Sequence, residues 1–249
     1  MSPSRFVAGD GRTEYVIPEG MVASRLLMGR EAMAWTLPEQ IGVALAERIL
    51  REEFAPGNRI GEENLSREFR VSRGPIRDAL RLLENVGLVT ITSRRGAVAS
   101  PLHVDDLREI FELRGSLLEI AILGFRRLAD AALLEEFSRY VAALEMVPSE
   151  ERMSLVYTDA VDRAMLFIGH HCGNGRIARI LTTLSLQSFR YLRRGQNIGP
   201  QATPRRNEIK RFYRDLLTAL EKGKDLEPLF ERLRQVYLDR ERNIADYLP

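Results

Sequence analysis

The chain has 249 residues, 45% hydrophobic and 29% charged, which supplies apolar matter for two modest domains and argues against disorder. No stretch approaches the roughly eighteen apolar residues that a membrane-spanning helix needs, and the N-terminus lacks the apolar core of a secretory signal. The single cysteine, Cys172, excludes an intrachain disulfide and fits a reducing cytoplasm, while a net charge of +2 does not announce a nucleic-acid partner.

Residues 1–35 hold Gly9, Gly11, Pro18, Gly20 and Gly29 without clear periodicity and read as a flexible N-terminal extension, with a short helix over 21–28. From Leu37 the pattern turns helical: Pro38 suits a first turn, and Ile41, Leu45, Ile49 and Leu50 recur on one face. Pro56-Gly57 breaks the chain. A short helix over 62–69 turns Leu65 and Phe69 inward, and Ser72 caps a third helix to about 84, with Ile76, Leu80 and Leu83 inward. Gly87 ends it. Residues 88–91 and 97–99 then read as two strands around a 93–96 hairpin tip. This order, over 36–101, is a winged helix-turn-helix layout. From 102 to 249 the pattern is an all-α bundle of about six helices, at 104–128, 130–146, 149–171, 175–195, 205–222 and 225–247. The fold class is therefore mainly α.

The composition holds 34 arginines against three lysines, and arginine-rich codon usage alone accounts for such a total; their positions are more informative. Over 66–96, Arg67, Arg70, Arg73, Arg77, Arg81, Arg94 and Arg95 face only Glu68, Asp78 and Glu84, a local excess of four positive charges. A recognition helix exposes polar side chains at its N-terminal turn, here Ser72-Arg73-Gly74-Pro75-Ile76-Arg77. Arg73 and Arg77 stand four apart on one face and reach the same groove. Gly74 lets backbone approach phosphate, and Pro75 costs no hydrogen bond in a first turn. Arg94 and Arg95 at the hairpin tip suit a minor groove or flanking phosphate, with Gly96 permitting the tight turn. The bland alternative makes Arg73 and Arg77 solvated partners of Asp78 or Glu84.

The spaced elements PG-x-x-x-x-E-x-x-L (Pro56, Gly57, Glu62, Leu65), VSRGPIRDALRLLENVGLV (71–89) and RRGAVAS (94–100) resemble the DNA-binding domain of GntR-family bacterial transcription regulators, from about Leu37 to Ser100. The resemblance implies that Arg73 and Arg77 read the operator and that Gly96 serves the wing. An arginine that some members carry early in the second helix would fall near Glu63, where this chain has an acid.

In helix 104–128 an apolar stripe of Leu107, Ile110, Phe111, Leu118, Ala121 and Phe125 is interrupted by Arg114. A buried arginine needs an anion or several acceptors. Either an internal carboxylate such as Glu119 or one on another helix meets it, or Arg114 clamps the carboxylate of a bound small molecule. DLREIFELRGSLLE (106–119), D-R-A-M…C-G-N (Asp162 to Asn174) and LLTALEKGKD (216–225) resemble the all-helical FCD ligand domain of the FadR subfamily. In many members an aspartate and three histidines hold a divalent metal. Asp162 matches the aspartate, but the histidine positions fall on Met165 or Leu166, on Tyr213, and on Val236 or Tyr237. No metal and no cofactor are therefore expected. Arg114, Asp162, Tyr213 and Tyr237 are the candidate effector residues, the tyrosines being either pocket hydroxyls or plain core. On a helical wheel Asp162 lies opposite its helix's apolar stripe and faces water unless that helix is covered on both sides.

His170-His171-Cys172 invites a Cys–His nucleophile, yet adjacent helical residues diverge by about 100°, and a helix end terminated by Gly173 explains the trio. His103 is a lone residue before the bundle. The expectation is a cytoplasmic homodimeric repressor on a near-palindromic operator, controlled by a small organic acid held in the helical domain, and no enzyme. Its rivals are a DNA-binding dimer without small-molecule control and, more remotely, a helical enzyme built on His170, His171 and Cys172 or Asp162.

Overall fold

The structure is a computed structural model that describes residues 4–7, 14–17, 35–147, 154–195 and 202–242. The chain divides into two compact units, Met1–Leu102 and His103–Pro249.

In the first unit β1 (Ser4–Val7) and β2 (Glu14–Ile17) pair antiparallel, Ser4 opposite Ile17. An extension without strands was expected there, because two four-residue strands are too short to register as a pattern against the glycines around them. The helix expected over 21–28 lies outside the described residues. α1 (Leu37–Leu50) opens on a capping box, the Glu39 carboxylate accepting from the Thr36 N–H at 2.7 Å and its hydroxyl at 2.8 Å. Its Ile41, Leu45 and Ile49 are buried and pack against α3 (Arg73–Asn85), which turns in Ile76, Ala79, Leu80 and Leu83.

Between them α2 (Glu62–Glu68) ends in a reversal that positions α3. Arg70 takes the left-handed conformation, φ 53°, where glycine is usual. The Val71 N–H reaches the Ser66 carbonyl at 3.1 Å and the Arg70 N–H that of Arg67 at 3.3 Å, satisfying the carbonyls at the end of α2. β3 (Val89–Thr92) and β4 (Gly96–Ala99) form the hairpin. The segment after Pro56 pairs with the outer edge of β4, Gly57 N–H to Ala99 carbonyl and Ile60 N–H to Ala97 carbonyl, both 2.8 Å. This pairing ties the hairpin to the start of α2.

The second unit contains α4 (Val104–Leu128), α5 (Ala131–Met146), α6 (Ser154–His171), α7 (Gly175–Gly195), α8 (Ala202–Glu221) and α9 (Glu227–Arg242). The Asp130 carboxylate caps α5 by accepting the Leu133 N–H at 2.8 Å. Phe125, Phe137 and Phe167 interlock with centroids 5.6–5.9 Å apart and hold α4, α5 and α6 together. α4 and the end of α6 approach so closely that a Cβ on Gly124 would stand 2.3 Å from the Cys172 carbonyl oxygen. α4 is packed by α6, α7 and α9, and α6 by α4, α5 and α7.

Candidate functional site

The first candidate surface is the N-terminal turn of α3. Ser72 occupies the N-cap position in extended conformation, although its hydroxyl makes no capping hydrogen bond. That leaves Ser72, Arg73 and Gly74 exposed at the positive end of the helix. A Cβ on Gly74 would have only the Ser72 hydroxyl near it, at 4.0 Å. Pro75 sits in the first turn as expected. Arg73 and Arg77 project from the same face, and neither meets Asp78 or Glu84. Arg77 Nε donates to Glu62 Oε2 at 2.9 Å and Arg73 Nη2 lies 3.4 Å from Glu63 Oε2, both partners being in α2. Glu84 accepts instead from the Ile91 N–H at 3.1 Å. At the hairpin tip Arg94 and Arg95 are exposed, the Arg95 N–H donates to Thr92 Oγ1 at 3.2 Å, and Gly96 adopts φ +70°.

The second candidate lies inside the helical unit. Arg114 is 2% exposed and Asp162 4%. Arg114 Nη2 donates to Asp162 Oδ1 and Nη1 to Ser188 Oγ, each at 2.5 Å, with Met165 Sδ 3.5 Å away. Arg114 Nε and Asp162 Oδ2 are buried without a hydrogen-bond partner. Burial works against the guanidinium charge, but Asp162 and the Tyr237 phenol outweigh it and hold the pKa above the ordinary arginine value. Tyr213 is buried in the same field, its pKa pushed well above the usual phenol range first by burial and then by Tyr237. Tyr237 joins the cluster to the surface: its phenol acts on Arg114, while its ring packs on Gly115, meets Phe111 edge-on at 6.3 Å, and lines a groove of about 580 Å³ between α4 and α9. All four residues expected at an effector site thus lie in one neighbourhood. Asp162 is buried rather than solvated because α6 is covered on several sides. Glu119 does not serve Arg114; it takes a forked contact from Arg234, two bonds of 2.9 Å.

The cluster does not fit a divalent metal. Asp162 is committed to Arg114, Met165 offers a thioether, and Tyr213 a phenol held protonated. Among the described residues no three His, Cys, Asp or Glu side chains converge.

Residues 37–98 match the family model of bacterial regulatory proteins, gntR family. This match covers the winged helix-turn-helix segment alone. The chain is 41% identical over 78 residues to the HTH-type transcriptional regulator YdhC of Bacillus subtilis, covering 31% of this chain and 35% of the relative. It is 31% identical over 121 residues to the gluconate operon transcriptional repressor of Bacillus licheniformis, covering 49% and 46%. The chain thus spans about a third to a half of the curated relatives it matches. McbR/YncC of E. coli shares the fold with a TM-score of 0.63 at 19% identity, over 85% of this chain and 98% of that one. So does a GntR regulator from Rhodococcus sp. RHA1, TM-score 0.60 at 18% identity, over 84% and 97%.

Both of these curated relatives are named as regulators of transcription. In the His-Cys trio the Cys172 thiol donates to the Gly169 carbonyl at 3.1 Å, His171 Nδ1 lies 2.8 Å from the Phe167 carbonyl, and His170 is exposed. Gly173, φ +78°, ends α6, and Asn174 Oδ1 accepts the Arg176 N–H at the start of α7. His103 offers its backbone N–H to the Tyr191 hydroxyl at 3.3 Å. Sequence reasoning missed Glu62 and Glu63 as partners of the reading arginines. It also missed Arg206, buried with its guanidinium over the Tyr157 ring at 5.5 Å. The signal for Arg206 was present, since it shares a helical stripe with Ile209, Tyr213, Leu216 and Leu220.

Proposed function

We propose that the protein is a sequence-specific DNA-binding repressor that acts in the cytoplasm as a homodimer on near-palindromic operator DNA. The observation that carries this reading is the pair of exposed arginines, Arg73 and Arg77, on the first turn of α3 within the GntR segment. Ser72, Gly74 and Pro75 let that turn approach the duplex, and Arg94, Arg95 and Gly96 supply the wing contact. Arg73 and Arg77 exchange Glu63 and Glu62 for guanine edges or phosphate on binding.

The helical unit, of the FCD type seen in the FadR subfamily, holds a small organic acid at Arg114, Asp162, Tyr213 and Tyr237, without metal or other cofactor. Arg114 remains a cation, and its Nε is a buried donor available to a ligand carboxylate. Occupancy there shifts operator affinity by a coupling free energy of about 1–3 kcal/mol. The gluconate operon repressors among the relatives support control by such an acid. A second reading keeps the DNA-binding dimer and removes the effector; it is favoured by one fact, that Asp162 already meets the charge of Arg114. A gel-shift on the intergenic DNA beside the protein's own gene, titrated with small carboxylic acids, separates them. Release of DNA by one acid supports the first reading. Binding insensitive to the whole panel, with no thermal stabilisation, supports the second.

A further inference from the structure

α4 is covered by α6, α7 and α9 on three sides, and its fourth side carries large apolar residues in water. Leu113, Ile120 and Leu123 are 51%, 54% and 47% exposed. With Glu109, Ser116 and Arg127 they form one stripe, spaced 4, 3, 4, 3 and 4 residues apart. This spacing averages 3.6 residues, the period of the helix itself, so the six side chains stay on one face along its whole length. Its length from Glu109 to Arg127 is about 27 Å at 1.5 Å per residue.

The seam is complementary to itself when reversed. Run antiparallel about a two-fold axis near residue 118, it sets Leu113 against Leu123 of a second copy, Ser116 against Ile120, and Glu109 against Arg127. The next row outward sets Glu112 against Arg126. One end of the face is thus acidic and the other basic, and only the antiparallel arrangement joins opposite signs. Among the described residues Glu109, Glu112 and Arg127 make no ion pair, and Arg126 reaches only the Gly223 carbonyl at 3.4 Å. The groove beside Tyr237 is continuous with the seam through Ser116, Ile120 and Leu123, so a second copy seated on α4 also covers its apolar lining.

We infer that the exposed face of α4 is the homodimer interface, in which α4 packs antiparallel on α4 of a second copy in this register. The inference rests on the dimer reading above and adds the face, the direction and the pairing. A closed two-fold contact of this kind uses the same patch on both copies.

Sedimentation equilibrium on the full chain tests it with charge reversals at exposed positions. Glu109→Arg with Glu112→Arg makes the face wholly basic, and Arg126→Glu with Arg127→Glu makes it wholly acidic. Each pair of changes is expected to raise the dimer dissociation constant about tenfold or more through like-charge repulsion. An equimolar mixture of the two variants is expected to recover dimers, as heterodimers, which also proves both are folded. Wild-type dimerisation in each variant alone, or no recovery on mixing, overturns the interface and leaves the dimer reading standing. A wild-type chain that remains monomeric throughout the concentration range overturns both.

Discussion

Arg114 on α4 and Asp162 on α6, separated by 48 residues of sequence, meet in the interior of the helical unit with Nη2 2.5 Å from Oδ1. Removing two charges from water costs several kcal/mol per ion, so such a pair persists only where neighbours complete the hydrogen bonding. Ser188 does so for one arginine nitrogen, while one atom on each partner remains unserved. The pair is better suited to specifying how α4, α6 and α7 meet than to maximising stability.

Breaking that pair from either side leaves a buried charge alone. Arg114→Ala and Asp162→Ala are each expected to lower unfolding free energy by about 3–5 kcal/mol, and Arg114→Met with Asp162→Leu by less than either. Urea unfolding of the three variants checks this. Additive losses would remove the pair from any specifying role.

At the DNA face, Arg73→Ala and Arg77→Ala are each expected to cost about 1–3 kcal/mol on operator and to relax base preference. Glu62→Gln and Glu63→Gln release the same arginines and tighten binding by up to about 1 kcal/mol, on operator and scrambled duplex alike. Fluorescence anisotropy on both duplexes measures all four. Equal loss of Arg73 or Arg77 on both duplexes would reduce that residue to a phosphate contact.

Gly74→Ala separates backbone approach from folding. Nothing crowds the new methyl in the free protein, so the unfolding midpoint stays within error of wild type, while operator affinity falls because the methyl stands where phosphate would approach. Unchanged affinity would show that the duplex keeps its distance at this turn.

Elemental analysis of protein purified without chelator is expected to find no stoichiometric divalent ion, since Asp162 is engaged by Arg114. One tightly held ion per chain would show that Asp162 exchanges its arginine for a metal.

Alkaline stability reports on Tyr191. Burial, with Asp106 nearby, pushes its hydroxyl up to about 12, against the pull of the His103 N–H. The folded chain keeps this proton to a higher pH than the unfolded chain, whose tyrosine ionises near 10. The stabilisation is therefore complete below about pH 10 and is lost between about 10 and 12. Urea midpoints at pH 9 and 11 should fall less steeply in Tyr191→Phe than in wild type; parallel slopes would reassign the alkaline loss to other groups, Tyr213 among them.

Local pattern was sufficient for most of the architecture. Amphipathic periodicity and glycine or proline breaks place α1 to α9 within a few residues, because each helix hides one stripe and ends where the backbone must turn. Arg114 stood out as a charge on an apolar stripe, and the first turn of α3 as a local arginine excess. Pairing between distant segments was not legible. The docking of Gly57 and Ile60 on β4, the contacts of Arg73 and Arg77 with Glu63 and Glu62, and the choice of Asp162 rather than Glu119 as partner for Arg114 depend on which surfaces packing brings together. A helical wheel assigns Asp162 to water because it ranks the faces of one helix; tertiary packing buries it because α6 is enclosed by three others. Sequence determined which residues are chemically out of place, and the tertiary structure decided what meets them, since a buried charge takes its partner from whatever the fold sets beside it.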